Sequence, residues 1–472
     1  MEKLKCVLHR APFWCAIVIM NLAANAEQGE EVRIWQSNSR RDFHEVSNPP
    51  PTEHFAPGAG IYDLEDSCAT HDFLGVGVSF ADASCYLLSK MPAERRSELL
   101  RMLFTDDGIG LSIGRLHVGS SDYSTEIYNY DDEPNDLSLR HFSIDRDRKY
   151  LIPIVREVKD IRPELFLFSS VWSAPGWMKT GGRMCGGWML TRYLPTFCDY
   201  YVAYLKAYRE AGLRIDALTI QNEPDTEQDS HSPTCRWHPE QEIEVAGHLL
   251  PPRLKAAGLE TKIWIWDHNY DGWQRVIDEL ADSEMRKNVD AVAFHPYAGK
   301  VEWLDRVRKA VPNVKLQLTE MGPHIDPKKG RDLFWWSKTI LGAFRHGCSS
   351  FCGWCLLLDE DGLPNTSRGH GCAGLVTVDS VTGELSFSDQ YRAFRHIGPF
   401  VKRGAKVLSV PFETDEEGVE VCAFRNPDGS HVIVAGADGG HLDSRKQLQI
   451  RYRGKYLSVL LPGGSMTTIL WK

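Results

Sequence analysis

Clustered basic residues and long hydrophobic runs are both scarce in this sequence of 472 residues. Its 54 lysines and arginines are outnumbered by 64 aspartates and glutamates, and no basic stripe interleaves with aromatic residues. Because phosphate affinity comes largely from clustered Lys and Arg, this composition argues against binding to nucleic acid. Beyond the N-terminus, no segment approaches the length of a membrane span, so we expect no integral membrane protein.

A glycine-rich loop between a strand and a helix is also missing. Such loops bind phosphate groups and dinucleotides in open α/β sheets, so nothing in the sequence predicts a nucleotide cofactor. Low-complexity tracts are absent as well, and 42% of the residues are hydrophobic. A chain of this length and composition can bury a large core and has room for about two or three domains.

The N-terminus has the pattern of an export signal. Lys3, Lys5 and Arg10 precede an apolar stretch at 11–24, and Ala-Asn-Ala at 24–26 resembles a cleavage site. We therefore predict a signal peptide over residues 1–26 and a secreted protein, located in the extracellular space, the periplasm or the lysosomal lumen according to the host. The charge of −10 would then become −12, because the removed segment holds three basic residues and one acidic residue.

Ten cysteines follow the predicted signal peptide, and in an exported protein some of them should form disulfides. Pairing of Cys185 with Cys198 or with Cys235 is plausible because these residues flank loops, but connectivity does not follow from sequence. Three cysteines in the run 348–355 have a spacing that suggests zinc. No second CxxC or paired His completes four ligands, so we interpret them as buried core residues.

Short apolar strands alternate with longer amphipathic stretches from about residue 73 to residue 357. The predicted strands cover 73–80, 111–118, 164–170, 218–221, 262–266, 289–294, 314–319 and 350–358. Helices are predicted at 92–105, 193–211 and 240–257. Eight such β/α repeats predict a closed TIM (β/α)8 barrel over residues 71–395, and a doubly wound open sheet is the alternative.

The C-terminal part has a different pattern, with short strands separated by turns. These strands are predicted at 407–410, 419–424, 432–435, 448–452, 456–460 and 466–471. They indicate an all-β sandwich over residues 396–472. Residues 32–36 are also strand-like, so we expect the N-terminal segment 27–70 to add to that sandwich.

Two acidic residues end apolar strands in the predicted barrel. Glu223 follows Leu-Thr-Ile-Gln-Asn at 218–222, and Glu320 follows Lys-Leu-Gln-Leu-Thr at 315–319. Because the C-terminal ends of the strands form the active face of a TIM barrel, the two carboxylates should face each other there. A pair of carboxylates in that position is what hydrolysis of a glycosidic bond requires.

Further polar and aromatic residues fall at the same strand ends. They are Asp82, Arg115, Asp122, Trp172, Asn222, Asp267, His295, Tyr297 and Trp354. Such a concentration after apolar strands predicts a cleft for a polar ligand.

Several ordered motifs resemble those of glycoside hydrolase family thirty, the group that contains glucosylceramidase. They are Ser-Ala-Pro-Gly-Trp-Met-Lys at 173–179, Gln-Asn-Glu-Pro at 221–224, Phe-His-Pro-Tyr at 294–297, Leu-Thr-Glu-Met-Gly at 318–322, Gly-Leu-Val-Thr-Val-Asp at 374–379 and the run from Tyr391 to Lys402. Asn-Glu-Pro alone occurs in many barrel glycosidases, so the ordered set carries the resemblance. It extends over nearly all of the chain after residue 70.

The resemblance implies a retaining mechanism in which Glu320 is the nucleophile and Glu223 is the general acid/base. It implies that Arg115 holds the nucleophile as an anion. We also expect the charge of Glu320 to raise the pKa of Glu223, which must start protonated.

The resemblance further implies a set of substrate-binding residues. Asn222 resembles the family residue that binds the sugar 2-hydroxyl, and His295 and Tyr297 resemble residues that orient the nucleophile. Asp122 and Trp172 resemble residues of the subsite for the distal hydroxyls, and Trp354 resembles the tryptophan of the eighth strand.

These features predict a secreted retaining β-glycosidase that acts from the non-reducing end on β-glucosides such as glucosylceramide, in carbohydrate or sphingolipid metabolism. The alternatives on the same scaffold are an endo-β-1,6-glucanase, a β-xylosidase or a β-glucuronidase. A carbohydrate-binding protein without activity and a metallohydrolase built on His295 are rivals from other classes. We expect no metal and no organic cofactor, because two carboxylates supply the proton transfer and the covalent step. The loop 360–374 departs from the glucosylceramidase pattern, which leaves the aglycone open.

Overall fold

The computed structural model describes residues 31–472 except 48–49, 55–59, 227–230, 368–369, 410–417 and 440–443. The predicted signal peptide lies outside the described residues. Within the described ranges, no helix combines the length and the apolar character that crossing a membrane demands.

The described strands fall into two main groups: a first group between residues 75 and 353, and a second group that combines the strands before residue 73 with those after residue 405. Three short strands at 357–387 form a separate small sheet. In chain order the strands are β1 (Val32–Ser37), β2 (His44–Val46), β3 (Gly60–Asp63), β4 (Ala69–Asp72), β5 (Gly75–Ser79), β6 (Ile113–His117), β7 (Phe166–Ser170), β8 (Ala217–Thr219), β9 (Lys262–Asn269), β10 (Val289–His295), β11 (Lys315–Leu318), β12 (Cys348–Gly353), β13 (Leu357–Asp359), β14 (Val376–Val378), β15 (Leu385–Phe387), β16 (Lys406–Leu408), β17 (Val419–Arg425), β18 (His431–Ala437), β19 (Arg445–Tyr452), β20 (Lys455–Pro462) and β21 (Ser465–Trp471).

Most of the helices connect the strands of the first group. In chain order they are α1 (Asp82–Lys90), α2 (Ala93–Phe104), α3 (Leu151–Ile161), α4 (Leu194–Glu210), α5 (Pro239–Ile243), α6 (Leu250–Ala256), α7 (Trp273–Glu279), α8 (Ser283–Asn288), α9 (Trp303–Ala310), α10 (Leu333–Arg345) and α11 (Asp389–Arg395).

Strands β5 to β12 form a closed parallel barrel, in agreement with the predicted fold. Their side chains are buried almost throughout, because one face fills the barrel and the other is covered by helices. Gly77 shows how closely the strands approach, since a Cβ atom built on it would lie 2.2 Å from the carbonyl oxygen of Ile113. Helix α3 has the expected amphipathic pattern, with Leu151, Val155 and Val158 buried against the barrel.

The second group of strands forms the β-sandwich, and both ends of the chain contribute to it. One sheet has the order β2-β1-β21-β18-β17-β16-β4, and β1 pairs antiparallel with β21 along its whole length. The other sheet has the order β20-β19-β3. The predicted strand at 32–36 is therefore part of this sandwich.

The barrel and the sandwich have separate hydrophobic interiors, but one face of the sandwich packs into the core of the barrel. Strand β21 turns Ile469 and Trp471 into the sandwich, whereas Met466 belongs to the core of the barrel. Phe424 of β17 lies 5.6 Å, between ring centroids, from both Phe73 and Phe344 of the barrel side. The two parts are thus packed as one unit.

Two predicted elements are divided in the structure. The helix expected at 240–257 consists of α5, a π-helical segment at Glu244–Leu249, and α6, which begins with two prolines at 251 and 252. Proline has no N–H to donate to the preceding turn, so the regular hydrogen-bond pattern changes there. The strand expected at 350–358 ends at Gly353, and Leu357–Asp359 pairs instead with β14.

The expectation that some cysteines pair is not met by Cys198 or Cys235. Both are buried thiols outside disulfides. The three cysteines at 348–355 are buried, as predicted.

Candidate active site

The two glutamates meet at the C-terminal end of the barrel. Glu223 lies four residues after β8, and Glu320 lies two residues after β11. A carboxylate oxygen of Glu223, one of Glu320 and a ring nitrogen of His295 all lie within 4.8 Å of one another. All three side chains are buried, and only the two carboxylates reach the cavity above.

Arg115, from β6, lies directly beneath the carboxylates and is fully buried. Its Nη1 donates to Oε2 of Glu320, and its Nη2 donates to Oδ1 of Asn222 and Oδ2 of Asp267, both at 2.8 Å. Its Nε donates to Ser170 at 3.1 Å. Burial opposes the charge of Arg115, but the carboxylates of Asp267 and Glu320 outweigh that effect and raise its pKa. The guanidinium therefore provides a fixed positive charge beside Glu320.

Asp267 connects the polar side chains under the cavity. Its Oδ1 accepts hydrogen bonds from Thr319 at 2.6 Å and from His295 at 3.0 Å. Its Oδ2 accepts from Arg115, and also from Ser170 and Thr219 at 2.7 Å. Although burial opposes ionisation, Arg115 and these donors lower the pKa of Asp267 far below its ordinary range.

The backbone that carries these acids is bent into an unusual shape. Trp266 and Asp267 have φ angles of 72° and 50°, in the left-handed region that disfavours side chains with a Cβ. Strand β9 has an irregular register with β10 at this point. Glu223 also has a positive φ of 50°, and its N–H donates to the carbonyl oxygen of Asp267 at 3.0 Å. Strained backbone held in this way is common at functional sites.

His295 lies between the acids and contacts all of them. Its Nδ1 is 3.1 Å from Oε1 of Glu223, and its Nε2 is 3.0 Å from Oδ1 of Asp267 and 3.9 Å from Oε2 of Glu320. Burial opposes its charge, but the surrounding carboxylates raise its pKa to about 9. At neutral pH the ring thus carries a proton on each nitrogen.

Burial is the strongest influence on both glutamates and opposes their ionisation. It raises the pKa of Glu320, against the attraction of His295 and Arg115. For Glu223 the hydrogen bond from His295 and the charges of His268 and His295 together outweigh burial and lower the pKa. The expectation that Glu320 would raise the pKa of Glu223 is therefore wrong for the free site, because the nearer His295 has the larger effect.

A cavity of about 350 Å³ opens above the two glutamates. The family resemblance implies catalytic or substrate-binding roles for nine residues. Seven of these nine line the cavity, namely Asp122, Trp172, Asn222, Glu223, Tyr297, Glu320 and Trp354. Arg115 and His295 lie just below the floor. Tyr297 donates to Oε1 of Glu320 at 3.0 Å, and Trp172 stacks on Trp354 with 5.3 Å between ring centroids. Flat aromatic surfaces beside carboxylates suit a sugar ring, which has apolar faces and polar edges.

Other residues of the cavity could not be located from the sequence. They are Thr226, His268, Asn269, His324, His370, Gly371 and Cys372. His370 comes from the loop at 360–374, and its Nδ1 is 2.9 Å from Oδ2 of Asp122. The other oxygen of Asp122 is buried without a hydrogen-bond partner in the described structure, so it remains available to a hydroxyl of a ligand. Among the described residues, no strand leads directly into His370, so its position beside Asp122 depends on how the loop folds.

Asp82 does not belong to the cavity, although it follows the first barrel strand. Its Oδ2 accepts hydrogen bonds from the backbone N–H of Thr125 at 2.8 Å and from the Thr125 hydroxyl at 2.9 Å. Its Oδ1 accepts from Tyr150 at 2.7 Å. Asp82 therefore fixes the long loop between β6 and α3 that carries Asp122.

The same loop is held at a second point by a buried carboxylate among tyrosines. Asp147 accepts hydrogen bonds from Tyr128, Tyr130 and Tyr208 at 2.9, 2.5 and 2.6 Å. Burial raises the pKa of Asp147 to about 6, against the effect of the three phenols. Tyr208 lies on α4, so this contact ties the loop to the outer helices of the barrel.

Two family models match the chain over nearly its whole described length. The glycosyl hydrolase family 30 TIM-barrel domain matches residues 73–402, and the glycosyl hydrolase family 30 beta sandwich domain matches residues 404–469. The chain belongs to glycosyl hydrolase family 30. As a member of this family it is a glycoside hydrolase, and its relatives are β-glycosidases.

The relatives of this chain carry the names of different glycosidases. An endo-1,6-beta-D-glucanase of Neurospora crassa is 31% identical over 376 residues, which are 76% of this chain and 77% of that protein. The lysosomal acid glucosylceramidase of Mus musculus is 27% identical over 422 residues, which are 84% and 81% of the two chains. Among solved structures, the endo-beta1,6-glucanase BT3312 is similar with a TM-score of 0.85 and 25% identity, covering 93% of this chain and 99% of that one.

Proposed function

We propose that this family 30 enzyme hydrolyses β-glucosidic bonds by double displacement, with Glu320 as nucleophile and Glu223 as general acid/base. The observation that carries the proposal is the separation of the two carboxylates, whose oxygens approach within 4.8 Å. Retaining glycosidases have carboxyl groups about 5 Å apart, whereas inverting enzymes need several ångströms more for a water molecule.

In the first step an oxygen of Glu320 forms a bond to the anomeric carbon while the bond to the glycosidic oxygen breaks. Glu223 transfers its proton to the departing oxygen. Arg115 and Tyr297 donate to the two oxygens of Glu320, which fixes the orientation of the carboxylate. In the second step Glu223 removes a proton from water, the water oxygen attacks the same carbon, and Glu320 is released.

His295 supplies the proton that Glu223 needs for the first step. Its Nδ1 carries a proton at neutral pH and lies 3.1 Å from Oε1 of Glu223. Movement of that proton to Glu223 leaves a neutral ring whose Nε2 proton still donates to Asp267. The lowered pKa of Glu223 also suits the second step, in which it must act as a base.

The first candidate substrate is a β-1,6-linked glucan. The higher identity to the Neurospora crassa enzyme supports this choice, as does the likeness to BT3312. A second cavity of about 440 Å³ shares His324 with the catalytic cavity, and Arg331, Glu360 and Phe387 are among its lining residues. Charged groups around a half-exposed aromatic ring suit further sugar units better than acyl chains. Glucosylceramide is the second candidate, because the Mus musculus relative carries that name.

The test is hydrolysis of a linear β-1,6-glucan and of glucosylceramide, with the first product anomer followed by proton NMR. We expect the β anomer to appear first and the glucan to be cut at internal bonds. The Glu320→Gln variant should lose activity on both substrates. An α anomer as first product, or full activity of the variant, would contradict the mechanism. Aryl β-xylosides and β-glucuronides tested in parallel distinguish the alternatives on the same scaffold.

The reaction proceeds without a metal ion. The donor set of Glu223, His295 and Glu320 is compact enough to hold one. However, Arg115 already donates to Glu320, and both nitrogens of His295 are engaged by carboxylates, so a cation would displace existing charges. We expect a chelator to leave turnover unchanged.

We also propose that the protein is exported. The signal-peptide pattern of residues 1–26 supports this proposal, and N-terminal sequencing of the mature protein would test it.

A further inference from the structure

A cluster of buried charges lies next to Glu223, and none of its members lines the cavity. Arg275 of α7 donates to Oε2 of Glu242 at 3.1 Å and to Oε1 of Glu279 at 2.6 Å, and it also contacts Asp225. Glu242 and Glu279 are at most 1% exposed. Because removing such charges from water costs about as much as their attraction returns, stability alone does not explain the cluster.

The second oxygen of Glu242 is directed at the strained backbone of β9. Oε1 accepts the backbone N–H of Trp266 at 2.8 Å. This residue and Asp267 are the two consecutive residues with positive φ. Such a conformation is strained and persists only where its surroundings hold it. The guanidinium of Arg275 also lies 5.2 Å from the ring of Trp266, over its face.

The strained segment in turn sets the position of the proposed acid/base. The carbonyl oxygen of Asp267 accepts the N–H of Glu223, and the side chain of Asp267 accepts from His295, which contacts Glu223. On the other side, Asp225 follows Glu223 by two residues and is held by Arg275. Both backbone segments that flank the carboxyl group are therefore anchored to one cluster.

We propose that Glu242, supported by Arg275, is a positioning residue that holds the Trp266–Asp267 backbone and thereby directs the carboxyl group of Glu223 at the glycosidic oxygen. The proposal rests on the role of Glu223 proposed above.

Glu279 offers a matched control within the same cluster. It contacts Arg275 but makes no bond to the strained backbone. Burial raises the pKa of Glu242 and raises that of Glu279 well above its ordinary range. Glu279→Gln keeps the shape of the side chain and an oxygen that accepts from Arg275, and it leaves the bond between Glu242 and Trp266 in place.

The experiment compares kcat/KM for two aryl β-glucosides, one with 2,4-dinitrophenol and one with phenol as the leaving group. Dinitrophenol leaves without a proton, whereas phenol needs the proton of Glu223. In Glu242→Gln the single amide oxygen accepts from the charged Arg275, so the amide N–H groups face the N–H of Trp266 and the support of that residue is lost. We expect kcat/KM for the phenyl glucoside to fall by about tenfold or more, since a misplacement near 1 Å can cost a hundredfold. The dinitrophenyl glucoside should change by less than about threefold. Glu279→Gln should match wild type on both.

Equal losses on the two substrates in Glu242→Gln would overturn the positioning role, because a general structural defect affects both alike. If that variant does not fold, Arg275→Lys, which removes the guanidinium hydrogen bonds that orient Glu242, should give the same selective loss, and an equal loss there overturns the role as well. The Glu223→Gln variant serves as the reference, because it shows the selective loss of kcat/KM that follows when the proton donor itself is removed. If Glu223→Gln loses both activities equally, the proposed function itself is contradicted.

Discussion

Tyr297 contacts Glu320 and remains 38% exposed at the cavity. Its hydroxyl donates to a buried carboxylate, and hydrogen bonds to charged groups contribute about 1.5 to 3 kcal/mol. We therefore expect Tyr297→Phe to lower kcat by about tenfold with little change in the midpoint of thermal unfolding. Tyr193→Phe removes a hydroxyl that bonds Asn135 outside the cavity and serves as the control. Comparable rates for Tyr297→Phe and wild type would show that the hydroxyl does not orient Glu320.

His295 should give the protein a characteristic dependence of stability on pH. Its pKa in the folded protein is about 9, above the ordinary 6.5, so the folded state binds this proton more tightly. The stabilisation is complete below pH 6.5 and disappears as the pH rises through 9, with a total of about 3 kcal/mol. Urea unfolding of wild type should show this decrease, and His295→Gln should not. Parallel curves for the two proteins between these pH values would contradict the assignment.

Residue positions at the site were predictable where a strand fixed them. Arg115, Asn222, Glu223 and Glu320 all follow or lie in apolar strands, and parallel strands in a barrel bring their C-terminal ends together. The interactions among them were less accessible. His295 was placed beside the nucleophile, yet its proximity to Glu223, which reverses the expected pKa shift, depends on the irregular register of β9 and β10.

At the scale of the elements, the buried carboxyl group of Asp147 holds the loop between β6 and α3 in place. The pKa of Asp147 is about 6 in the folded protein and 3.8 ordinarily, so the folded state binds the proton more tightly. Ionisation of Asp147 thus lowers stability as the pH rises from 3.8 to 6, by up to about 3 kcal/mol.

We expect Asp147→Asn to lose less stability than wild type over that range, because the amide does not ionise. Chemical denaturation at pH 4, 5 and 6.5 measures the difference. Asp145→Asn is the control, since the side chain of Asp145 is 85% exposed and should not alter the slope. A slope for Asp147→Asn equal to that of wild type would place the ionisation of Asp147 outside this range.

The predicted helices and strands held where hydrophobic periodicity was regular. The strand at 262–266 and the helix at 193–211 are present with boundaries shifted by a few residues. Periodicity gave no sign of the π-helical segment at Glu244–Leu249, because a widened turn keeps the same residues buried. The loop at 360–374 likewise has no repeating pattern, and its contribution of His370 depends on long-range packing.

At the scale of the whole molecule, the barrel and the sandwich should unfold together. Phe424 of β17 packs on Phe73 and Phe344, and loss of a buried Phe side chain costs about 3 to 5 kcal/mol. We expect Phe424→Ala to lower the thermal midpoint while enzymatic activity and circular dichroism are still lost in one transition. Phe387→Ala, at a ring that is 39% exposed, should change the midpoint much less. Loss of the sandwich signal before activity would show two independent units.

The contacts of Arg115 separate the parts of the enzyme that can diverge from those that cannot. This guanidinium joins side chains from or just after β6, β7, β8, β9 and β11, and none of its partners comes from the loop at 360–374. Exchanging that loop with the corresponding segment of a relative should therefore transplant substrate preference and leave the carboxylates in place. One scaffold can in this way acquire new glycans by loop replacement, without rebuilding its chemistry at each step.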